Sequence, residues 1–221
     1  MPKGLQLENV VIRHRGCVLI EIDHTIAPGD ILSVMGPSGS GKSTLLSYII
    51  GTLEPAFEAT GEVLLDGQTI TGLPAHSRRI GILFQDDLLF PHLSVGENLA
   101  FGLSHETKGR AARRAAVEQA LQDIGLADFF DRDPATLSGG QKARVGLMRM
   151  LLSNPYALLL DEAFSRLDTG LREQIRNLVF DTARQRGLPV LMVTHDAADA
   201  QAAGGAVFQM GSSPSKTSSV S

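Results

Sequence analysis

Short apolar runs set off by turn residues give the chain its rhythm. Ile31–Met35, Ile80–Phe84, Ala157–Leu160, Val190–Thr194 and Ala206–Met210 each read as a buried strand. ALLL is apolar throughout, as a strand must be when both sheet faces are covered. Ahead of them, residues 5–26 alternate loosely and predict two antiparallel strands around a turn near Gly16. GEVLLDGQTI (61–70) carries Asp66-Gly67 between two β-rich stretches, a hairpin signal. Helical spacing takes over elsewhere. Leu45, Leu46, Ile49 and Ile50 form one apolar face, closed by Gly51. Val117, Ala120, Leu121 and Ile124 form a second. A helix from near Ser138 buries Val145, Met148, Leu151 and Leu152 and stops at Pro155. Another, over 169–186, presents Leu171, Ile175, Leu178 and Thr182 and closes at Gly187. Alternating β and α elements predict an α/β fold with a mostly parallel sheet covered by helices. The helical texture of 86–154 reads as an insertion into that core, and the polar tail 211–221 as disordered.

Composition narrows the classes. With 221 residues and 43% hydrophobic content the chain can bury one sizeable core. Its net charge of −4 and lack of a dense Lys/Arg run argue against a nucleic-acid surface. Cys17 is the single cysteine, which points to a reducing compartment. The first ten residues lack an apolar signal segment, and no apolar run approaches the ~20 residues of a membrane span.

The chemistry centres on GPSGSGKST, Gly36 to Thr44, which follows a strand and opens a helix. Gly36, Gly39 and Gly41 are expected to take positive φ, so that the backbone N–H groups of Gly36, Pro37's neighbours Ser38 and Gly39, Ser40 and Gly41 curl into an anion nest. The helix dipole points at the same place. Lys42 supplies charge for β- and γ-phosphates, and Ser43, followed by Thr44, offers a hydroxyl to Mg²⁺. The run ALLL ends in Asp161-Glu162, at the strand edge where parallel sheets bind ligands. Asp161 suits a shared Mg²⁺, and Glu162 can polarise an attacking water. LSGGQ, Leu137 to Gln141, opens a helix. Ser138 could be an ordinary N-cap, or Ser138 with the N–H groups of Gly139 and Gly140 could form a second anion site beside Gln141. One chain with one nucleotide has no use for two cradles; two chains facing head to tail do.

GPSGSGKST, Gln85, LSGGQ, ALLLDE and His195 occur in the order seen in ATP-binding-cassette (ABC) ATPases, and the resemblance covers about residues 4–210. It implies a P-loop NTPase (RecA-like) core with an N-terminal antiparallel β subdomain and an inserted α-helical subdomain. The expected division is one ABC ATPase domain, 1–210, with core and β subdomain at 1–85 and 155–210 and the helical subdomain at 86–154. It also implies ATP and Mg²⁺ as cofactors and an ATP-dependent homodimer with two nucleotides at the interface. Gln85 resembles the Q-loop glutamine, which contacts Mg²⁺ or the attacking water; Asp168 resembles the D-loop aspartate, and His195 the switch histidine. The segment 84–103 is similar to the region of bacterial import ATPases where a permease helix docks. The nearest likeness is to short importer subunits of the thiamine, iron or polyamine type, without their C-terminal regulatory domain. Integral-membrane permease subunits, a solute-binding protein acting through them, and a peripheral position on the cytoplasmic side of the inner membrane follow from the same resemblance. A soluble ABC ATPase acting on DNA or ribosomes, and an export or lipoprotein-release ATPase, are the alternatives.

The chain departs from the family pattern at three places. Arg13-His14-Arg15 stands where an aromatic residue usually stacks on adenine, leaving His14 as the candidate. Ala163 replaces a common proline, and Arg166 a small D-loop residue. Arg78-Arg79 and Arg110, Arg113 and Arg114 read as solvated faces.

Overall fold

The computed structural model describes residues 3–85, 88–104 and 106–211. The tail assigned to disorder lies, from residue 212 onward, outside the described residues. Strands β1 (Leu5–His14) and β2 (Cys17–Ile26) form the first hairpin. Strand β3 (Ile31–Met35) leads into helix α1 (Lys42–Ile50). Strands β4 (Phe57–Leu65) and β5 (Gln68–Thr69) make the Asp66-Gly67 hairpin, and β4 pairs with β1 to complete an antiparallel sheet of order β2-β1-β4-β5.

A second, five-stranded sheet is parallel throughout. Its order is β6 (Ile80–Phe84), β7 (Ala157–Asp161), β8 (Val190–Thr194), β3 and β9 (Ala206–Gln209). Pleating divides each central strand between two cores. Ala157, Leu159, Leu191, Val193, Leu32 and Val34 pack toward α1 and the antiparallel sheet. Leu158, Leu160, Val190 and Met192 pack on the opposite side against α5 (Thr169–Arg186). That two-sided burial is why these strands are apolar in sequence.

Helices α2 (Val95–Gly102), α3 (Arg110–Asp123) and α4 (Gly139–Leu152) surround a third core of Val95, Leu99, Val117, Leu121 and Val145. A short helix, α6 (Ala197–Ala203), follows β8. Helix α4 carries two stripes rather than the single one expected. Ala143, Leu147 and Leu151 belong to the sheet core, whereas Val145 belongs to the helical core, with Met148 and Leu152 half-buried against it. The two stripes let α4 join both units. The buried face of α5 is also rotated from the expected one. Ile175, Val179, Phe180 and Ala183 are buried, with Phe180 edge-on to Phe164 at 5.8 Å. Thr182 is only half-buried and its hydroxyl donates to the Leu178 carbonyl at 2.6 Å.

The arginines read as solvated include a buried one. Arg78 donates to the carbonyls of Tyr48 and Ile49 at 2.9 and 2.8 Å, to Leu73 at 2.8 Å, and to Thr71. It thereby caps the carbonyl end of α1, where a cation also complements the helix dipole. Arg113 donates to the Ala100 carbonyl at 2.6 Å and ties α3 to α2. Arg114 is exposed, as expected, and lies over the Phe130 ring.

Candidate functional site

Four neighbouring parallel strands deliver the chemistry at their carboxyl ends. In sheet order they end in Gln85 (β6), Asp161-Glu162 (β7), His195 (β8) and Gly36 (β3). This is the edge at which parallel sheets bind ligands.

The loop from β3 to α1 is shaped as the glycines require. Gly39 and Gly41 have φ of 78° and 95°. Gly36 does not take positive φ, contrary to the sequence expectation. A Cβ there would stand 2.9 Å from both Met210 Cβ and Ser40 Oγ, so Gly36 is needed for space. Lys42 is buried, and its ammonium donates to the carbonyls of Gly36 and Pro37 at 2.8 and 2.9 Å. The N-cap of α1 is Gly41, which offers no side-chain acceptor to the first turn. The N–H groups of that turn therefore point into the nest without a protein partner from the cap, the arrangement that binds phosphate.

Around Lys42 the acidic groups converge. Glu162 Oε1 lies 3.9 Å from Lys42 Nζ, and Glu162 Oε2 lies 3.3 Å from His195 Nδ1. Glu162 has φ of 47°, in the left-handed region that non-glycine residues rarely occupy. That bend turns the chain sharply at the end of β7 and aims the carboxylate back along the cleft. The Glu162 N–H bonds to the Val193 carbonyl at 3.1 Å, and Ser165 Oγ closes the following turn on the Glu162 carbonyl at 2.8 Å. Strain of this kind gathers at active sites.

Ser43 Oγ donates to Asp161 Oδ1 at 3.3 Å. Burial holds the Asp161 carboxyl above the usual carboxylate range; Ser43 and Lys42 counteract this, and neighbouring Glu162 adds to it. Ser43, Gln85, Asp161 and Glu162 line one cleft of about 400 Å³ together with Phe84 and Leu88. Two adjacent hard oxygen donors, one an ill-solvated carboxylate, fit Mg²⁺, which takes few protein ligands and fills the rest from phosphate and water.

The LSGGQ residues occupy a separate cleft. Ser138 is the N-cap of α4 in a capping box: its Oγ accepts from Gln141 N–H at 3.3 Å, and Gln141 Oε1 accepts from Ser138 N–H at 2.9 Å. Gly139 is open on its outer side. A Cβ at Gly140 would come within 2.4 Å of Leu171 Cδ1, so the glycine brings α4 against the start of α5. Ser138, Gly139, Gly140 and Gln141 share this cleft with Arg166 and Asp168, the latter capping α5 through Leu171 N–H at 3.1 Å. Lys42, Ser43, Gln85, Asp161, Glu162 and His195 are brought together; Ser138 to Gln141 are not brought to them within one chain.

His14 is half-buried at the end of β1, directly across from Phe57 of β4, their rings 5.0 Å apart. Phe57 was missed by the sequence reading, because only the strand register reveals that it shares a face with His14.

A sequence model of the family described as ABC transporter matches residues 19–165. The chain belongs to the ABC transporter family. It is 52% identical over 199 residues to an uncharacterized ABC transporter ATP-binding protein of Escherichia coli K12, YnjD, covering 90% of this chain and 91% of that one. It is 44% identical over 182 residues to the thiamine import ATP-binding protein ThiQ of Vibrio cholerae, covering 82% and 75% of the two chains. A spermidine/putrescine import ATP-binding protein of Oleidesulfovibrio alaskensis, PotA, is 40% identical over 184 residues, 83% of this chain but 48% of that one. As an ABC ATP-binding subunit, the chain is an ATPase that powers membrane transport. Among the described residues no helix is long and apolar enough to cross a membrane.

Proposed function

We propose that this chain is the MgATP-hydrolysing subunit of a solute importer and sits on the cytoplasmic face of the inner membrane against permease subunits. The observation that carries the permease assignment is a groove of about 870 Å³ beside Gln85. Phe84, Leu88, Phe90 and Phe101 are among its apolar lining residues, and Phe101 is 68% exposed, an unusual cost for a large ring in water. The groove is built rather than accidental. Asn98, fully buried, accepts from Phe90 N–H at 2.8 Å and donates to the carbonyls of Phe90, Leu93 and Ser94. Phe90 then meets Phe101 edge-on at 4.7 Å. An apolar, preorganised groove between the sheet unit and α2–α4 suits an amphipathic helix. It also supports treating residues 86–154 as a helical lobe that can move against the core. Relatives named for thiamine, spermidine/putrescine and Fe(3+) import favour an importer of a small solute, whose solute-binding protein would act through the permease. Nucleic acid has no place in this reading.

The catalytic account follows from the cleft. The backbone N–H groups of Ser38 to Thr44 and the Lys42 ammonium hold the β- and γ-phosphates, with Gly36 and Pro37 shaping the loop. Ser43 and Asp161, with Gln85, would hold Mg²⁺, which when bound neutralises phosphate charge. Glu162 orients and polarises the attacking water. His195 faces the γ-phosphate, with its Nδ1 3.3 Å from Glu162 Oε2. Lys42, now satisfied by two loop carbonyls, exchanges those bonds for phosphate oxygens. His14 with Phe57 forms the apolar shelf for adenine; a His14→Ala chain whose KM for ATP equals the parent's would remove that role. Ser138, Gly139, Gly140 and Gln141 close the nucleotide site of a second copy, which makes the active unit a dimer. The test of the transport role is gentle solubilisation of native membranes with a tagged chain. Recovery of a multi-span permease is expected; recovery of only soluble ribosomal or DNA-repair proteins would overturn it.

A further inference from the structure

The residues flanking His195 are held from outside the cleft. On one side Thr194, buried in β8, pairs with Met35 of β3, and its Oγ1 accepts from Asp196 N–H at 3.0 Å. On the other, Asp196 caps α6 by accepting from Ala198 N–H at 2.7 Å, and its second oxygen meets Arg172 at 2.7 Å. Arg172 comes from the first turn of α5, one residue beyond the Leu171 that packs at Gly140 and four beyond the α5 cap Asp168. Its guanidinium is shared: Nε and a terminal nitrogen also grip Asp199, almost fully buried, which Arg176 reaches at 3.3 Å.

This cluster contains more than the fold requires. Asp199 already neutralises Arg172 with a two-point contact, the strong geometry for a guanidinium and a carboxylate. Arg176 supplies a second cation to the buried carboxylate. The bond from Arg172 to Asp196 adds nothing to burying Asp199; it ties α5 to the residue next to His195. The Asp196 carboxyl is held below its ordinary value, chiefly because Ala198 N–H donates to it, with Arg172 adding to the effect.

We propose that Arg172 is a positioning residue for hydrolysis, fixing through Asp196 the backbone that aims His195 at Glu162 and linking that aim to the α5 edge beside LSGGQ. The inference rests on His195 being an active-site group. It gives the two clefts a physical connection: what displaces the start of α5 at Ser138–Gln141 and Asp168 also displaces the anchor of His195.

The test uses the full chain. Asp196→Asn retains an equally good N-cap and leaves both arginines on Asp199, so the fold is preserved. It should lower kcat about tenfold with KM for ATP within about twofold, the signature of a misaimed group rather than lost binding. Arg172→Lys keeps the charge but loses the planar fork that grips Asp199 with two nitrogens while reaching Asp196, and should show the same kcat loss. The double variant should be no slower than either single one, because both break the same link. In histidine-labelled protein, the His195 ring signals should shift in both variants. Parent-like kcat in Asp196→Asn, additive losses in the double variant, or unmoved His195 signals would each overturn the proposal. His195→Ala separates the two failures: if it is also fully active, the site reading itself falls.

Discussion

Two helices in this chain begin with glycine-rich turns, and they end their backbones differently. Helix α1 starts at Gly41 in the left-handed region, with no side-chain cap, and a buried lysine, a serine and two carboxylates gather around the vacant N–H groups. Helix α4 starts at Ser138 with a complete capping box, which pairs the N–H groups of Ser138 and Gln141 and leaves those of Gly139 and Gly140 to face the cleft. An uncapped helix end set in a glycine nest beside a buried ammonium and a hydroxyl offers its N–H groups to an anion. A helix end that caps itself can wait. The contrast fits the proposed division of labour, in which the P-loop cleft takes the phosphates within one chain and LSGGQ closes the nucleotide site of a second copy.

Several measurements can break or sharpen that contrast. Glu162→Gln should bind ATP with parent-like affinity and lose at least about a hundredfold in turnover, because the amide fills the same space without polarising water. Single-turnover kinetics checks it, and parent-like turnover would remove Glu162 from its role. Arg78→Met leaves the Ile49 carbonyl at the end of α1 unpaired and the Tyr48 carbonyl with only the Gly51 N–H, and should cost about 2–4 kcal/mol in denaturant unfolding. A loss under about 0.5 kcal/mol would mean that water replaces the guanidinium. Ser138→Ala removes one half of the α4 capping box and should destabilise the ligand-free chain by about 1 kcal/mol. No such protein cap exists at Gly41 to remove, which is the contrast in its smallest form.

The pH dependence comes from Asp161. Its folded carboxyl is held above the ordinary range by burial, so the folded ligand-free chain takes up this proton at a higher pH than the unfolded chain does, and the group's contribution to stability rises as pH falls through the raised value. A cation needs the ionised form. Mg²⁺-dependent ATP affinity should therefore fall on acidification earlier than an ordinary aspartate would allow, with proton release on binding. Calorimetry in two buffers of different ionisation enthalpy reads that proton directly; zero release just above the raised value would contradict it.

Much of this was legible because it is written locally. GPSGSGKST, ALLLDE and LSGGQ each fit on one strand end or one helix start, and alternation along 5–26 specified the hairpin. Gln85 and His195 carried no local signature; only their order along the chain marked them. What stayed hidden depends on contacts between distant segments. Arg78-Arg79 reads as a surface pair until α1 is seen to end beside it. Phe57 joins His14 only through the β1–β4 register. Gly36 was assigned the wrong reason because sequence reports the absence of a Cβ, and not whether conformation or space demands it. The face of α5 was misread because Leu171 and Leu178 are as apolar as Val179 and Phe180, and only the packing against Phe164 chooses among them.

The central claim is that one chain holds the phosphates and a second closes the site. It is tested most directly by the mass of the Glu162→Gln chain in solution, measured by light scattering with and without MgATP. The account predicts a monomer alone, a dimer with MgATP, and a monomer under both conditions once Ser138→Arg is added, with ATP still bound. A Glu162→Gln chain that binds MgATP and stays monomeric, or a Ser138→Arg chain that dimerises equally well, would contradict it.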